Sequence, residues 1–452
     1  MTGLARALGA VVGAAHLRAG PPLIVAPDST DQVVQVLRLC AAHGVSVVPE
    51  GGQTGLVGGT VAAPDQVVIS LRRMVAIEAI YPDERVMTVQ AGTPLQAVQE
   101  AALAHALEPG IDLAARGTAT IGGMVATNAG GIMAHRYGVM RHRVLGLEAV
   151  LPDGQVYSDL TRVVKNTAGY DLKHLFIGAE GTLGIVTRVV LKLEPVPVAT
   201  VTMLLGLPSV AAALQATSLA MRAGHGHLRA AEALWTRYIT LTANALGWAE
   251  PSFPLSQPVN LILMLGGAAE SDLMQDAEAI FAQLADDHPD TTGIIAQSAR
   301  QAAALWRLRE DTEVIYRAHP GAPSYDISVP LTEITGFLER VLPALATLDG
   351  GIFPYVFGHL ADGNLHIVLD RTGPMTPALS AAVEAVLYPP LAALGGSFSA
   401  EHGVGSKRVA ALQATAPATK LALMGRVKHA LDPGNLMNPG KVLPCMQSEA
   451  AR

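Results

Sequence analysis

The segment running from Phe357 to Leu369, FGHLADGNLHIVL, constrains the fold more tightly than any other part of the chain. Asp362-Gly363 is the dipeptide that best closes a two-residue hairpin, because both turn positions tolerate φ > 0. Folding about it predicts Ala361 opposite Asn364, Leu360 opposite Leu365 and His359 opposite His366. Directly opposed residues share a face with Cβ atoms roughly 4.5–5.5 Å apart, near enough for two imidazoles to share a cation. Further on, SAEHGVG offers Glu401 as a third ligand and His402 as a base. Three protein ligands leave a coordination position open, the pattern of a catalytic rather than a structural site. Two nitrogens and a carboxylate leave zinc and manganese both open.

A chain of 452 residues, 50% hydrophobic and 15% charged, is expected to fold as two or three domains with substantial cores. The net charge of −7 and the lack of a basic run argue against nucleic-acid binding. Cys40 and Cys445 cannot build a disulfide framework, so a cytoplasmic setting is expected. At the N-terminus, Arg6 and Arg18 bracket eleven residues broken by glycines, which reads as an amphipathic helix rather than a signal peptide. No run of about 20 apolar residues is seen, so no membrane span is expected, while peripheral attachment stays open.

Strands are expected at Leu23–Ala26, Val45–Val48, Gln66–Leu71 and Val86–Val89. Helices are expected after the cap candidates Asp28, Ser29 and Thr30, and over Pro94–Leu107. Beyond Pro195–Pro197 the pattern restarts: strand Val201–Leu205, helix Ser209–Ala223, strand Val259–Leu265, helix Leu273–Ala285. The class is α+β, with an antiparallel second sheet that carries the hairpin and has helices on one face. A last helix, Pro417–Ala430, precedes a Pro/Gly-rich tail.

Three glycine-rich segments, PEGGQTGLVGGT, GTATIGGMVATNAGG and IGAEGTLGIVT, fall among the early strands. The first lacks a Gly-Lys-Ser/Thr and opens no helix, so it is neither a P-loop nor a dinucleotide fingerprint. Consecutive backbone N–H groups in such loops can still hold phosphate, and small residues let backbone approach a large flat ligand.

With GYDLKHLFIGAEGTLGIVT, GHLADGNLH, SAEHGVG and LMNPGKVLP in the same order, the chain resembles the FAD-dependent D-2-hydroxyacid dehydrogenases. That group includes D-lactate and D-2-hydroxyglutarate dehydrogenases and the glycolate oxidase flavin subunit, within the vanillyl-alcohol oxidase / p-cresol methylhydroxylase flavoproteins. The resemblance implies a two-part FAD-binding domain over residues 1–195 and a substrate (cap) domain over 196–400. A helical segment, 401–452, would complete the active site. Glu50, Gly51, Gly52, Gln53, Thr54, Gly55 and Gly58 would hold the pyrophosphate. Gly117, Thr118, Gly122, Gly123, Thr127, Asn128 and Gly130 would line the cofactor, as would Glu180, Gly181, Ile185 and Asn438. Where many relatives attach flavin through a histidine, this chain has Gln53, so FAD is expected to be non-covalent.

The resemblance further implies a metal site of His359, His366 and Glu401, proton abstraction by His402, and a substrate carboxylate held by Arg309. A guanidinium fork suits that carboxylate, and a histidine's ordinary pKa suits the base. Electrons would pass to a carrier such as electron-transfer flavoprotein or to a quinone, and a homodimer is compatible with the family. Hydroxyglutarate-type relatives have lysine, asparagine and threonine where this chain has Ser324, Val368 and Glu313. A substrate with one carboxylate and a neutral side chain, D-lactate-like, is therefore expected. The run from AHLRAG into PPLIVAP is shorter than in relatives, which is expected to alter the rim of the cofactor site. Three alternatives stay open on sequence: a D-2-hydroxyglutarate dehydrogenase, a flavin subunit active only in a glycolate-oxidising complex, and a hydrolase using the His/His/Glu set; the presence of Glu401 and His402 argues against a non-catalytic flavin binder.

Overall fold

The computed structural model describes residues 2–248, 253 and 255–445. They form two units: Met1–Gly131 with Tyr137–Val196 and Glu401–Arg452, and Ile132–Arg136 with Pro197–Ala400.

In the first unit, strands Leu23–Val25, Val67–Ser70 and Val47–Glu50 pair in parallel, in that spatial order. Buried parallel strands read as unbroken apolar runs, which is why Val67, Val68 and Ile69 are all buried. The crossover helix Thr30–Ala42 starts at Ser29, whose hydroxyl accepts the Gln32 N–H at 3.4 Å. Helix Thr2–Val12 buries Leu4, Leu8 and Val12, a one-face stripe at helical spacing. A separate five-stranded antiparallel sheet runs Ile77–Tyr81, Val86–Gln90, Ile185–Lys192, Val144–Val150, Val156–Asp159. The helix expected over Pro94–Leu107 spans only Leu95–Leu103. Ala106 then takes a left-handed φ of 57°, and Leu107–Glu108 leaves as a strand paired with Glu194–Pro195.

The closing segment is tied into the same unit. Val47 donates to Leu436 O and accepts from Asn438 N, each at 2.8 Å, so the tail lies along the edge of the parallel sheet. Lys428, buried, donates to Thr182 O and Met437 O at 2.8 Å and to Asp432 Oδ2 at 2.5 Å.

The second unit is built on a seven-stranded antiparallel sheet: Thr292–Ile295, Ala199–Leu207, Val259–Gly267, Gly226–Trp235, Tyr355–His359, Asn364–Val368, Ser324–Ser328. Gly226–Trp235 is a strand that sequence pattern did not announce. Leu, Arg, Ala and Glu dominate it, and those are helix formers; pairing along both edges overrides the propensity. Helices cover both faces of the sheet, not one. Leu204, Leu234, Ile262 and Phe357 pack with Leu305, Leu308 and Tyr238 from helices on one side. The next residue, Leu205, points the other way and shares the space beside Gly293 with Phe281 of helix Glu270–Asp287.

Among the described residues one helix, Pro377–Leu394, is long and apolar enough by length and composition to cross a membrane. It carries Pro389 and Pro390 inside and buries Val383, Leu387 and Leu391, the single stripe of a helix packed on a domain.

Candidate active site

The hairpin forms, but in a different register from that expected. His359 pairs with Asn364, Gly358 with Leu365, and Phe357 with His366. The connection is Leu360–Gly363, not a two-residue turn. Leu360 sends its N–H to Ala231 O at 2.8 Å and buries its side chain completely, so the chain is committed to the sheet past the point where a tight turn would begin. Asp362 Oδ1 then accepts the Asn364 N–H at 3.2 Å. Gly363 has φ 77°, and a Cβ there would lie 2.1 Å from Val329 O. Because the register is displaced by an even number of residues, every side chain keeps its face. His359 and His366 become diagonal neighbours on one face, their ring centroids 5.4 Å apart and their planes at 83°.

Each imidazole has a carboxylate on its Nδ1 side, supplied by its partner on the neighbouring strand. Glu232 is opposite His359, and its Oε1 lies 2.6 Å from Nδ1. Asp326 is opposite His366, with Oδ1 3.5 Å from Nδ1. The short Glu232 bond fixes the ring and tautomer of His359 and presents its Nε2 as the ligand atom, while Asp326 sets a negative charge beside His366, so the donor set fits a divalent cation. Burial alone would raise the pKa of Glu232, but the imidazole of His359 and the guanidinium of Arg309 outweigh it and hold the carboxyl at about 2. Asp326 also accepts from Asn364 Nδ2 at 2.7 Å, so Asn364 ties two strands together rather than serving only the turn.

Arg309, in helix Ala299–Glu310, is buried and not on the helix surface. Its Nε donates to Glu232 Oε2 at 2.7 Å, and its guanidinium lies 4.8 Å from the centre of the Phe357 ring. Tyr238 donates to the Arg309 carbonyl at 2.8 Å, fixing the backbone beneath. Glu232 and Asp326 are the residues that sequence reasoning missed. Glu232 lay in a segment with no strand signal, and Asp326 becomes visible only once the register with His366 is known. Ser324 and Val368 are paired directly across strands, on the face that carries Asp326 and His366. Val368 is 2% exposed within an apolar cluster, and Glu313 is exposed at the start of helix Glu313–Ala318.

In the first unit, Glu401 Oε1 accepts the Gly131 N–H at 2.5 Å. The loop that follows His402 is organised by Glu180, whose two oxygens accept Val404 N–H at 2.7 Å and Gly405 N–H at 2.8 Å. Burial raises the pKa of Glu180, opposed by these bonds and by Arg408. Asn438 donates from Nδ2 to Gly59 O at 3.0 Å and to Glu180 O at 2.8 Å, so it binds the loops to each other.

Several of the glycines expected to line the cofactor are also packed closely against protein on their Cβ side. A Cβ at Gly51 would lie 2.4 Å from Thr120 Oγ1, at Gly52 1.8 Å from Thr118 O, and at Gly122 2.6 Å from the Ala91 Cβ. Thr127 hydrogen-bonds back to Gly123 O at 3.1 Å, and Asn128 closes helix Ile121–Thr127 in a left-handed conformation while accepting Arg141 N–H at 2.9 Å. These contacts clamp the 51–55 loop against the 117–123 segment. The N–H groups of Gly51 to Leu56 find no protein acceptor among the described residues, and Gln53 to Gly55 are exposed. With Gln53 at φ 56° in their midst, these donors are left available to a phosphate group.

Residues 196–442 match the family described as FAD linked oxidases, C-terminal domain, and 21–159 match the FAD binding domain. The chain is 40% identical to the D-2-hydroxyglutarate dehydrogenase of Xanthomonas citri pv. viticola, over 93% of this chain and 89% of that one. It is 34% identical to the mitochondrial D-2-hydroxyglutarate dehydrogenase of Bos taurus, over 95% of this chain and 78% of the relative. Among solved structures, substrate-bound p-cresol methylhydroxylase superimposes with a TM-score of 0.75 at 17% identity, covering 98% of this chain and 97% of the other, a likeness of fold.

Proposed function

The chain belongs to the FAD-linked oxidase family as an FAD-dependent D-2-hydroxyacid dehydrogenase, and we propose that its substrate carries one carboxylate and a neutral side chain, as D-lactate does. The observation that carries this reading is the pairing of Ser324 with Val368. A second carboxylate reaching that patch would meet a hydroxyl and a buried valine, with no cation from either. Glu313, by its charge, would repel such a group.

In this reading Arg309 holds the substrate carboxylate, already oriented by Glu232 and the ring of Phe357. His359, His366 and Glu401 would be the residues to hold a divalent cation, zinc or manganese, whose charge would favour the deprotonated hydroxyl. His402 takes the hydroxyl proton, since a neutral imidazole is a competent base near neutral pH. Non-covalently held FAD would supply the acceptor for the hydride of the α-carbon, and a protein carrier or a quinone would take the electrons onward.

The names of the relatives favour a second reading, D-2-hydroxyglutarate. Steady-state kinetics with a dye acceptor on D-lactate, D-2-hydroxyglutarate and their L-isomers, before and after chelation, separates the two. Efficient D-2-hydroxyglutarate oxidation with poor D-lactate turnover would reject the first.

A further inference from the structure

Glu232 stands where the fold asks for an apolar side chain. Its neighbours Ala230, Ala231, Ala233 and Leu234 are at most 1% exposed, and Glu232 itself is 0% exposed. A carboxylate is costly there unless every lone pair has work to do. Its oxygens are divided between two groups: Oε1 faces His359 Nδ1 at 2.6 Å, and Oε2 accepts from Arg309 Nε at 2.7 Å. An amide could accept from only one of these donors and would turn its own NH2 toward the other.

We propose that Glu232 is a positioning residue that locks the cation-ligating ring of His359 and the carboxylate-holding guanidinium of Arg309 to each other. The hydroxyl and the carboxylate of a 2-hydroxyacid are separated by one carbon–carbon bond, so the groups that grip them must keep a fixed spacing. One fully buried carboxylate between the two sets that spacing. This inference rests on the reading of His359 as cation ligand and Arg309 as carboxylate grip.

The test uses the FAD-loaded full chain carrying Glu232→Gln. Zn2+ and Mn2+ affinity is measured in chelator-buffered titrations, alongside flavin content and kcat and KM on the preferred 2-hydroxyacid. Cation affinity should weaken roughly 10–100-fold, KM should rise, and flavin content should stay unchanged. Glu232→Asp keeps the charge but cannot span both donors; it should shift affinity and KM in the same direction and serves where the Gln variant does not fold. Cation affinity and KM within about twofold of the parent in the folded variants would overturn the proposal, since they change together by more than that when an orienting carboxylate is lost. His359→Ala and Arg309→Gln are measured in parallel. If these leave cation affinity and KM unchanged, the reading of the site itself fails. If they change both while Glu232 variants change neither, only the positioning role fails.

Discussion

Gly52→Ala tests whether the clamp between the 51–55 loop and the 117–123 segment presents the cofactor. The added Cβ would lie 1.8 Å from Thr118 O, 2.7 Å from Thr118 C and 3.2 Å from Ala119 Cα. All three are backbone atoms, so no rotamer change relieves the clash. The opposing strip is itself held: Thr118 N–H bonds Ala115 O at 3.0 Å, and Ala119 O accepts Leu95 N–H at 2.9 Å. The 1.8 Å separation must open to about 3.0 Å, so the 51–55 loop gives way, and its N–H array moves by more than an ångström. Hydrogen bonds of ordinary length do not survive such a shift. Losing two bonds to charged phosphate oxygens, at roughly 1.5–3 kcal/mol each, predicts FAD binding weaker by about 10²–10⁴-fold. Reconstitution of apoprotein with FAD, followed by flavin fluorescence, measures this directly. A variant that binds FAD within about threefold of the parent would refute the clamp argument. Gly425→Ala, in helix Ala418–Leu431 with nothing within 4 Å of the new Cβ, is the control. It should leave FAD affinity unchanged and stabilise the protein by about 0.5–1 kcal/mol.

Lys428→Met removes three bonds and strands Asp432, 1% exposed, without its cation. A loss of about 3 kcal/mol is expected in denaturant unfolding, partly recovered by adding Asp432→Asn; a loss under about 1 kcal/mol contradicts it. Asp276 accepts the N–H groups of His225 and Gly226, both at 3.0 Å, at the entry to the strand that carries Glu232. Burial would raise its pKa, but the His225 side chain and these backbone bonds lower it, so its stabilising contribution is present above the unfolded carboxyl value and lost as pH falls through the folded one. His225, raised by Asp276, contributes below its unfolded value and loses this as pH rises. The stability difference between parent and Asp276→Asn should therefore be largest in weak acid and narrow on either side; a flat difference across pH would exclude the pair as its source.

Much of the first unit was legible because its signals are local. Ser29 caps a helix with its own hydroxyl, Leu4, Leu8 and Val12 repeat at helical spacing, and buried parallel strands announce themselves as apolar runs. Gly226–Trp235 was not legible, since its residues favour a helix and only pairing with Val259–Gly267 and Tyr355–His359 makes it a strand. Glu232 was hidden with it. At Gly51, Gly52 and Gly122 residue type shows that a Cβ is excluded, and only the structure shows that Thr120, Thr118 and Ala91 exclude it.

By itself the sequence determined which residue types could do chemistry and that His359 and His366 share a face. Strand periodicity is two, and any even displacement of the hairpin preserves that result. Only the tertiary structure decided the register, because Leu360 commits its N–H to Ala231, a residue more than a hundred positions earlier. That one bond replaces the tight turn, sets the histidines on a diagonal, and brings Glu232 beside His359. Periodicity is a property of one strand, whereas register and second partners belong to the neighbours that the fold brings up.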